Sequence, residues 1–132
     1  MMAEDQPKRP KPVHWIGSSQ GDLRNLPDDV ARNIGYALWF AQIGDKHPSA
    51  KPLKGFVGAG VLEIVDSYRG DTYRAIYTVR FPKAIYVLHV FKKKSKKGIK
   101  TPKHEIDLIV ARLKLAKSHY EQWAKEANDE SK

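Results

Sequence analysis

Apolar and polar positions change period twice along this 132-residue chain. From Pro27 onward, Val30, Ile34, Ala37, Leu38 and Ala41 recur at helical spacing and share one face of a predicted helix that Gly44 ends. Pro27 suits the first helical turn, where Asp28 and Asp29 complement the helix dipole. Three strand-like runs follow: "VLEIVDSY", the turn "RGD", "TYRAIYTVRF", the turn "PK" and "AIYVLHVF". β-branched and aromatic residues dominate them, and connections this short force antiparallel neighbours. In the second run Tyr73, Ala75, Tyr77 and Val79 face one way, and Arg74, Ile76, Thr78 and Arg80 the other. The third is apolar almost throughout, apart from His89, which marks it as the best-buried strand.

Helical period returns after a lysine-rich loop. Thr101 is placed to cap a helix with Pro102 at its first position. Ile106, Ile109, Val110, Leu113, Ala116, Tyr120 and Trp123 then form its apolar stripe. "VHWIGSS" reads as a short first strand, and "DKHPSAKPLKGFVGAG" as a loop. The fold class expected is α+β, one domain in which a small antiparallel sheet of about four strands packs against helices. Its boundaries fall at residues 12–119, after a flexible basic leader at 1–11 and before a helix end and polar tail at 120–132.

Charge changes the picture. Twenty-four Lys and Arg against fifteen Asp and Glu give +9, a balance suited to nucleic acid, an anionic membrane surface or an acidic protein. No apolar run reaches membrane-spanning length and the N-terminus lacks a signal-peptide core, so a soluble cytoplasmic protein is expected. The absence of cysteine removes disulfides, thiolate zinc sites and cysteine nucleophiles. The five histidines are scattered, and Glu63 and Asp66 fall on opposite faces of one strand, which argues against a metal site. No cofactor motif is present.

The strongest chemical signal is the exit of the third run, "HVFKKKSKKGIKTPK", with seven lysines between Lys92 and Lys103. Its first residues are fixed by the strand, and a helix start that favours phosphate follows. About five such lysines on a single strand's phosphates would give a salt slope near −3.5. Arg74, within a strand on the same sheet, is a candidate phosphate clamp, with an edge arginine paired to Glu63 or Asp66 as the structural alternative. His89 is either a packed strand histidine or a proton-transfer group. Tyr68, Tyr73, Tyr77, Tyr86 and Phe91 interleave with basic residues, but a domain this small needs most of these rings for its core.

The motifs "PLKG", "VLEI", "YRAIYTV" and "LHVFKKKSKK" running into a helix are similar, as a set, to the phage-derived branch of the RelE/HigB toxins. The resemblance covers residues 12–119. It implies a RelE/ParE-like fold and the toxin of a type II toxin–antitoxin pair with a helix-turn-helix antitoxin. It also implies a ribosome-dependent mRNA endoribonuclease in which the substrate's 2′-hydroxyl attacks the neighbouring phosphate without metal or other cofactor. On that pattern Arg74 stabilises the phosphorane, Lys92 and Lys93 hold it and His89 transfers a proton, while Lys54, Lys94, Lys96 and Lys97 track RNA. Two departures stand out: Glu63 and Val65 fall near the places where RelE-type toxins carry strand lysines, and Gly98-Ile99 falls where they carry tyrosine. The alternatives are a ParE-like gyrase inhibitor and a non-catalytic nucleic-acid-binding phage regulatory protein.

Overall fold

A computed structural model describes residues 9–56, 58–93 and 101–130, with side chains to residue 127. Strand β1 (Val13–Trp15) leads into helices α1 (Ser19–Arg24) and α2 (Asp28–Gln42). Strands β2 (Ala50–Pro52), β3 (Val61–Tyr68), β4 (Asp71–Thr78) and β5 (Ile85–Lys93) precede the long helix α3 (Lys103–Glu130). The five strands form one sheet in the order β1-β5-β4-β3-β2.

The expected α+β architecture is present, but the sheet is mixed. β1 runs parallel to β5, pairing His14 with Tyr86, whereas every other neighbour is antiparallel. The chain reaches this arrangement because α1 and α2 separate β1 from the rest, long enough for a crossover. Two elements were not expected. Three-residue β2 lies inside the proline-rich segment read as a loop, and its Pro52 is tolerated because β2 is an edge strand. Short α1 has a single half-buried leucine, Leu23, packed on the core, too little for a periodic signal.

Helices cover both faces of the sheet. On one, Val30, Ile34, Ala37, Leu38 and Ala41 of α2 meet Ile64, Tyr73, Ala75, Tyr77 and Val87. On the other, Ile109 and Ala116 of α3 meet Val61, Ile76, Tyr86 and Leu88. Strand alternation divides these sets as the sequence predicts, except at one place. Opposite Ile76 and Tyr77 the register of β5 jumps from His89 to Val87, leaving Leu88 as an extra residue. This β-bulge reverses the alternation. Leu88 and His89 both lie on the α3 side, and from there Phe91 and Lys93 face α3 while Val90 and Lys92 face α2.

Polar contacts tie α3 down along its length. Burial pushes the Tyr86 phenol up to about 12, so it stays protonated, and its hydroxyl shares a hydrogen bond with His119 Nδ1 at 2.6 Å. Phe81 stacks on Tyr120 with ring centres 4.9 Å apart. Arg112 Nη1 donates to the bulge carbonyl of Leu88 at 2.9 Å, satisfying a group the ladder leaves out.

These contacts rank two substitutions. Ile34→Ala, at a fully buried site, should cost about 2–5 kcal/mol through lost burial and a cavity. Tyr86→Phe should cost only about 0.5–1.5 kcal/mol, because the exposed His119 can turn to water instead. Urea denaturation of both variants checks the order, and a Tyr86→Phe loss as large as that of Ile34→Ala would contradict it.

Candidate active site

The α3 side of the sheet gathers an unusual number of ionic groups. Arg74 lies on β4, between β3 and β5, and is therefore central rather than on an edge. Its Nη1 donates to Glu63 Oε2 at 2.6 Å, and both side chains are less than a tenth exposed. Lys51, from β2, approaches the other carboxylate oxygen at 3.8 Å. Glu63 is on β3 and two residues out of register with Arg74, since it pairs directly with Ile76 while Arg74 pairs with Val65. The diagonal spacing is within reach of long side chains.

Beside this pair opens a cavity of about 360 Å³ lined by Leu53, Lys54, Gly55, Phe56, Glu63, Arg74, Thr101, Ile106 and Val110. Apolar side chains from β2's exit and from α3 make the walls, and the Arg74–Glu63 pair supplies buried charge. Lys54 sits exposed at its rim. The volume suits a small organic ligand or one nucleotide.

Lys93 stands on the same side, two residues beyond Phe91, which pairs with Arg74. It is 5% exposed, and among the described residues its Nζ has no hydrogen-bond partner. Burial pushes its ammonium down from the ordinary lysine range, and the Arg74 charge adds to this, with Glu63 opposing. Lys92 faces the other way. It is about half exposed and pairs with Asp71 at 3.1 Å, a hydrogen bond that holds its ammonium above the usual range. The two lysines expected to act together therefore lie on opposite faces of the sheet.

His89 is gripped from both sides. Arg112 Nη1 points at its Nδ1 from 3.4 Å, and because an arginine only donates, the ring proton belongs on Nε2. Nε2 then donates to Glu105 Oε1 at 3.1 Å. Phe91 stacks on the ring with centres 4.7 Å apart and planes 19° from parallel. Among the candidate residues, the fold thus groups Arg74 and Lys93 closely, with Lys54 at the cavity mouth and His89 further along the same face. Lys94, Lys96 and Lys97 lie outside the described residues. Sequence reasoning gave Glu63 no role beyond that of a possible partner for Arg74 and passed over Glu105 and Arg112. The signal for Glu63 was a carboxylate in a strand otherwise suited to burial, and Arg112 had none, since its contacts depend on the bulge.

Two stability tests follow. Arg74→Ala or Glu63→Ala should each cost about 3–5 kcal/mol by leaving a buried charge uncompensated, whereas Glu63→Leu combined with Arg74→Met should cost less than either. Chemical denaturation of the three proteins decides it, and additive losses would contradict the pairing. Lys93→Met should instead stabilise the protein by about 1–3 kcal/mol at neutral pH, by removing an unsatisfied buried ammonium. A folded-state pKa below the unfolded one means the charged form is penalised below the folded pKa and relieved as pH rises towards the unfolded value. The advantage of Lys93→Met should therefore shrink on going from neutral to alkaline pH; a constant advantage would place its cause elsewhere.

Comparison with known proteins bears on the family. Among solved structures, the chain is similar to one in the toxin–antitoxin complex RelBE2 from Mycobacterium tuberculosis, at 20% identity and a TM-score of 0.43, over 64% of this chain and 99% of that one. No curated protein matches. The family described as "Phage derived protein Gp49-like (DUF891)" matches residues 21–114, from α1 through strands β2 to β5 and into α3, and so includes Glu63, Arg74, His89 and Lys93. The protein belongs to the Gp49-like family of phage-derived proteins.

Proposed function

We propose that this protein is the toxin of a type II toxin–antitoxin pair and acts as a ribosome-dependent mRNA endoribonuclease. The observation that carries the reading is the grouping of Arg74, Glu63 and the unpartnered Lys93 beside a cavity of nucleotide size. The motif resemblance to RelE/HigB toxins supports the same chemistry. A helix-turn-helix antitoxin and the ribosome are its proposed partners, and the cytoplasm is its proposed location.

In this reading the 2′-hydroxyl oxygen bonds to the adjacent phosphorus while the bond from phosphorus to the 5′-oxygen breaks, giving a 2′,3′-cyclic phosphate and a 5′-hydroxyl. Arg74 and Lys93 stabilise the extra charge on the phosphorane, where positioned donors in a dry site act most strongly. Glu63 is the carboxylate nearest Arg74 and takes up the 2′-hydroxyl proton. The departing 5′-oxygen takes its proton from His89, either from Nε2, which already faces a carboxylate, or from Nδ1 protonated once Arg112 gives way. Lys54 meets the backbone at the cavity mouth, and the motif resemblance assigns Lys94, Lys96 and Lys97 to RNA contact as well. Lys92, on the other face, holds no phosphate bound at Arg74 and is assigned to ribosomal contact instead.

The deciding variant is Arg74→Lys, which keeps the buried charge for Glu63 but loses the planar donor fork. Induced in cells, it should retain the fold and lose growth arrest, with mRNA cleavage down about 10²–10³-fold. Arrest equal to wild type with no cleaved message overturns the nuclease reading, and inhibited supercoiling by gyrase would replace it.

A further inference from the structure

Helix α2 has a second apolar face. Its sheet side is filled by Val30, Ile34 and Leu38, yet Tyr36 and Trp39 point away from the sheet at 56% and 42% exposure. They are the two most exposed aromatic side chains among the described residues. Stray exposed apolar residues are ordinary, but two large rings one turn apart are the composition of an interface centre. Tyr36 is also held in place. Tyr36, Phe40 and His47 pack edge-on with centres 5.0 to 5.6 Å apart. A partner meeting them would lose little side-chain freedom.

Next to Tyr36 lies a pocket of about 150 Å³, lined also by Asn33, His47, Ser49 and Asp66. Asn33 Nδ2 donates to Asp66 at 3.2 Å, which fixes the carboxylate. Among the described residues Asp66 forms no ion pair, in a chain of +9. The pocket is below the usual range of about 300–1,000 Å³ for small-molecule sites. It is large enough for the head of one long side chain, with an anion and an aromatic ring in its lining, an arrangement that selects a cation. Asp66 within it, and Asp28 at the start of the same helix, oppose phosphate at this pocket, while Asp29 is paired with Arg32 at 3.2 Å.

We propose that the outward face of α2 is a docking surface for a partner protein, which lays an amphipathic segment along Tyr36 and Trp39 and sets a lysine or arginine over Tyr36 onto Asp66. The surface lies across the sheet from Arg74, so its occupant need not enter the cavity. The proposal does not depend on the reading of that cavity.

The test places p-benzoylphenylalanine at Trp39, or at Leu115 on α3 as the control, in the full chain expressed in its source cells from its own locus. After irradiation, adducts are identified by peptide sequencing in a mass spectrometer. The expected adduct at position 39 is a protein whose attached peptide carries Lys or Arg among apolar residues, with no such adduct from position 115. Its yield should fall about thirtyfold in a Tyr36→Ala background, the scale of an interface hot spot. Asp66→Lys should do the same, and Asp66→Asn, which keeps the amide contact, should act in the same direction without charge repulsion. Thermal midpoints of the variants establish that they fold. No adduct, an equal adduct from position 115, an adduct to RNA or to a second copy of this chain, or a yield unmoved by both Asp66 variants would each overturn the proposal. Growth arrest by the Tyr36→Ala protein is read separately and reports only on the cavity.

Discussion

One extra residue in β5 sets the order of everything after it. Before Leu88 the strand sends even-numbered residues towards α3; after it, odd-numbered ones. Without the bulge, Lys92 would stand beside Arg74 and Lys93 would face α2. The bulge carbonyl has no place in the ladder, and Arg112 takes it at 2.9 Å while also pointing at His89. That single guanidinium thus stabilises the bulge, orients the histidine and docks the middle of α3. A close approach makes the arrangement tight. Gly17 has φ +59°, and a Cβ there would lie 2.8 Å from the Arg112 guanidinium.

Burying Arg74 and Lys93 on one face is possible only because Glu63 is buried with them. A lone Arg74 at this depth would cost about 3–5 kcal/mol, while a paired one roughly balances desolvation against attraction. Glu63 does not cancel the set. Arg74 takes one carboxylate oxygen at 2.6 Å, Lys51 approaches the other, and Lys93 is left without a hydrogen bond among the described residues. Such an excess of buried positive charge is poor design for stability alone. An anion bound beside Arg74, as the proposed function requires, would give Lys93 a partner that the described residues do not supply.

How much of this was legible in the sequence depended on local patterns. The β3, β4 and β5 runs, the main faces of α2 and α3, and the separation of Glu63 from Asp66 all follow from periods of two and 3.6 residues. The parallel seat of β1 and the existence of β2 did not, since three-residue strands carry too few positions for a period and are formed by their neighbours. Arg74 was marked by its chemistry, yet whether it lay at an edge or the centre depended on the strand order. The choice between Lys92 and Lys93 could not be read at all. A bulge inside an apolar run leaves no trace in composition, because Val87, Leu88 and Val90 suit either face equally.

The same sheet keeps two kinds of chemistry apart while connecting them through covalent structure. Glu63 and Asp66 are three residues apart on β3 and face opposite ways. Asp66 pairs across the ladder with Tyr73, the residue before Arg74, and Val65 pairs with Arg74 itself. Asp66 and Glu63 therefore stand on the two faces of one strand segment, with Glu63 held against Arg74. The separation is the thickness of one sheet, and the link is a stretch of rigid, hydrogen-bonded backbone rather than a loop. A partner docked on α2 would thus meet the strand that carries the buried carboxylate without obstructing the cavity mouth. In such a small domain, opposite faces of one strand are the shortest path between two surfaces that must not overlap.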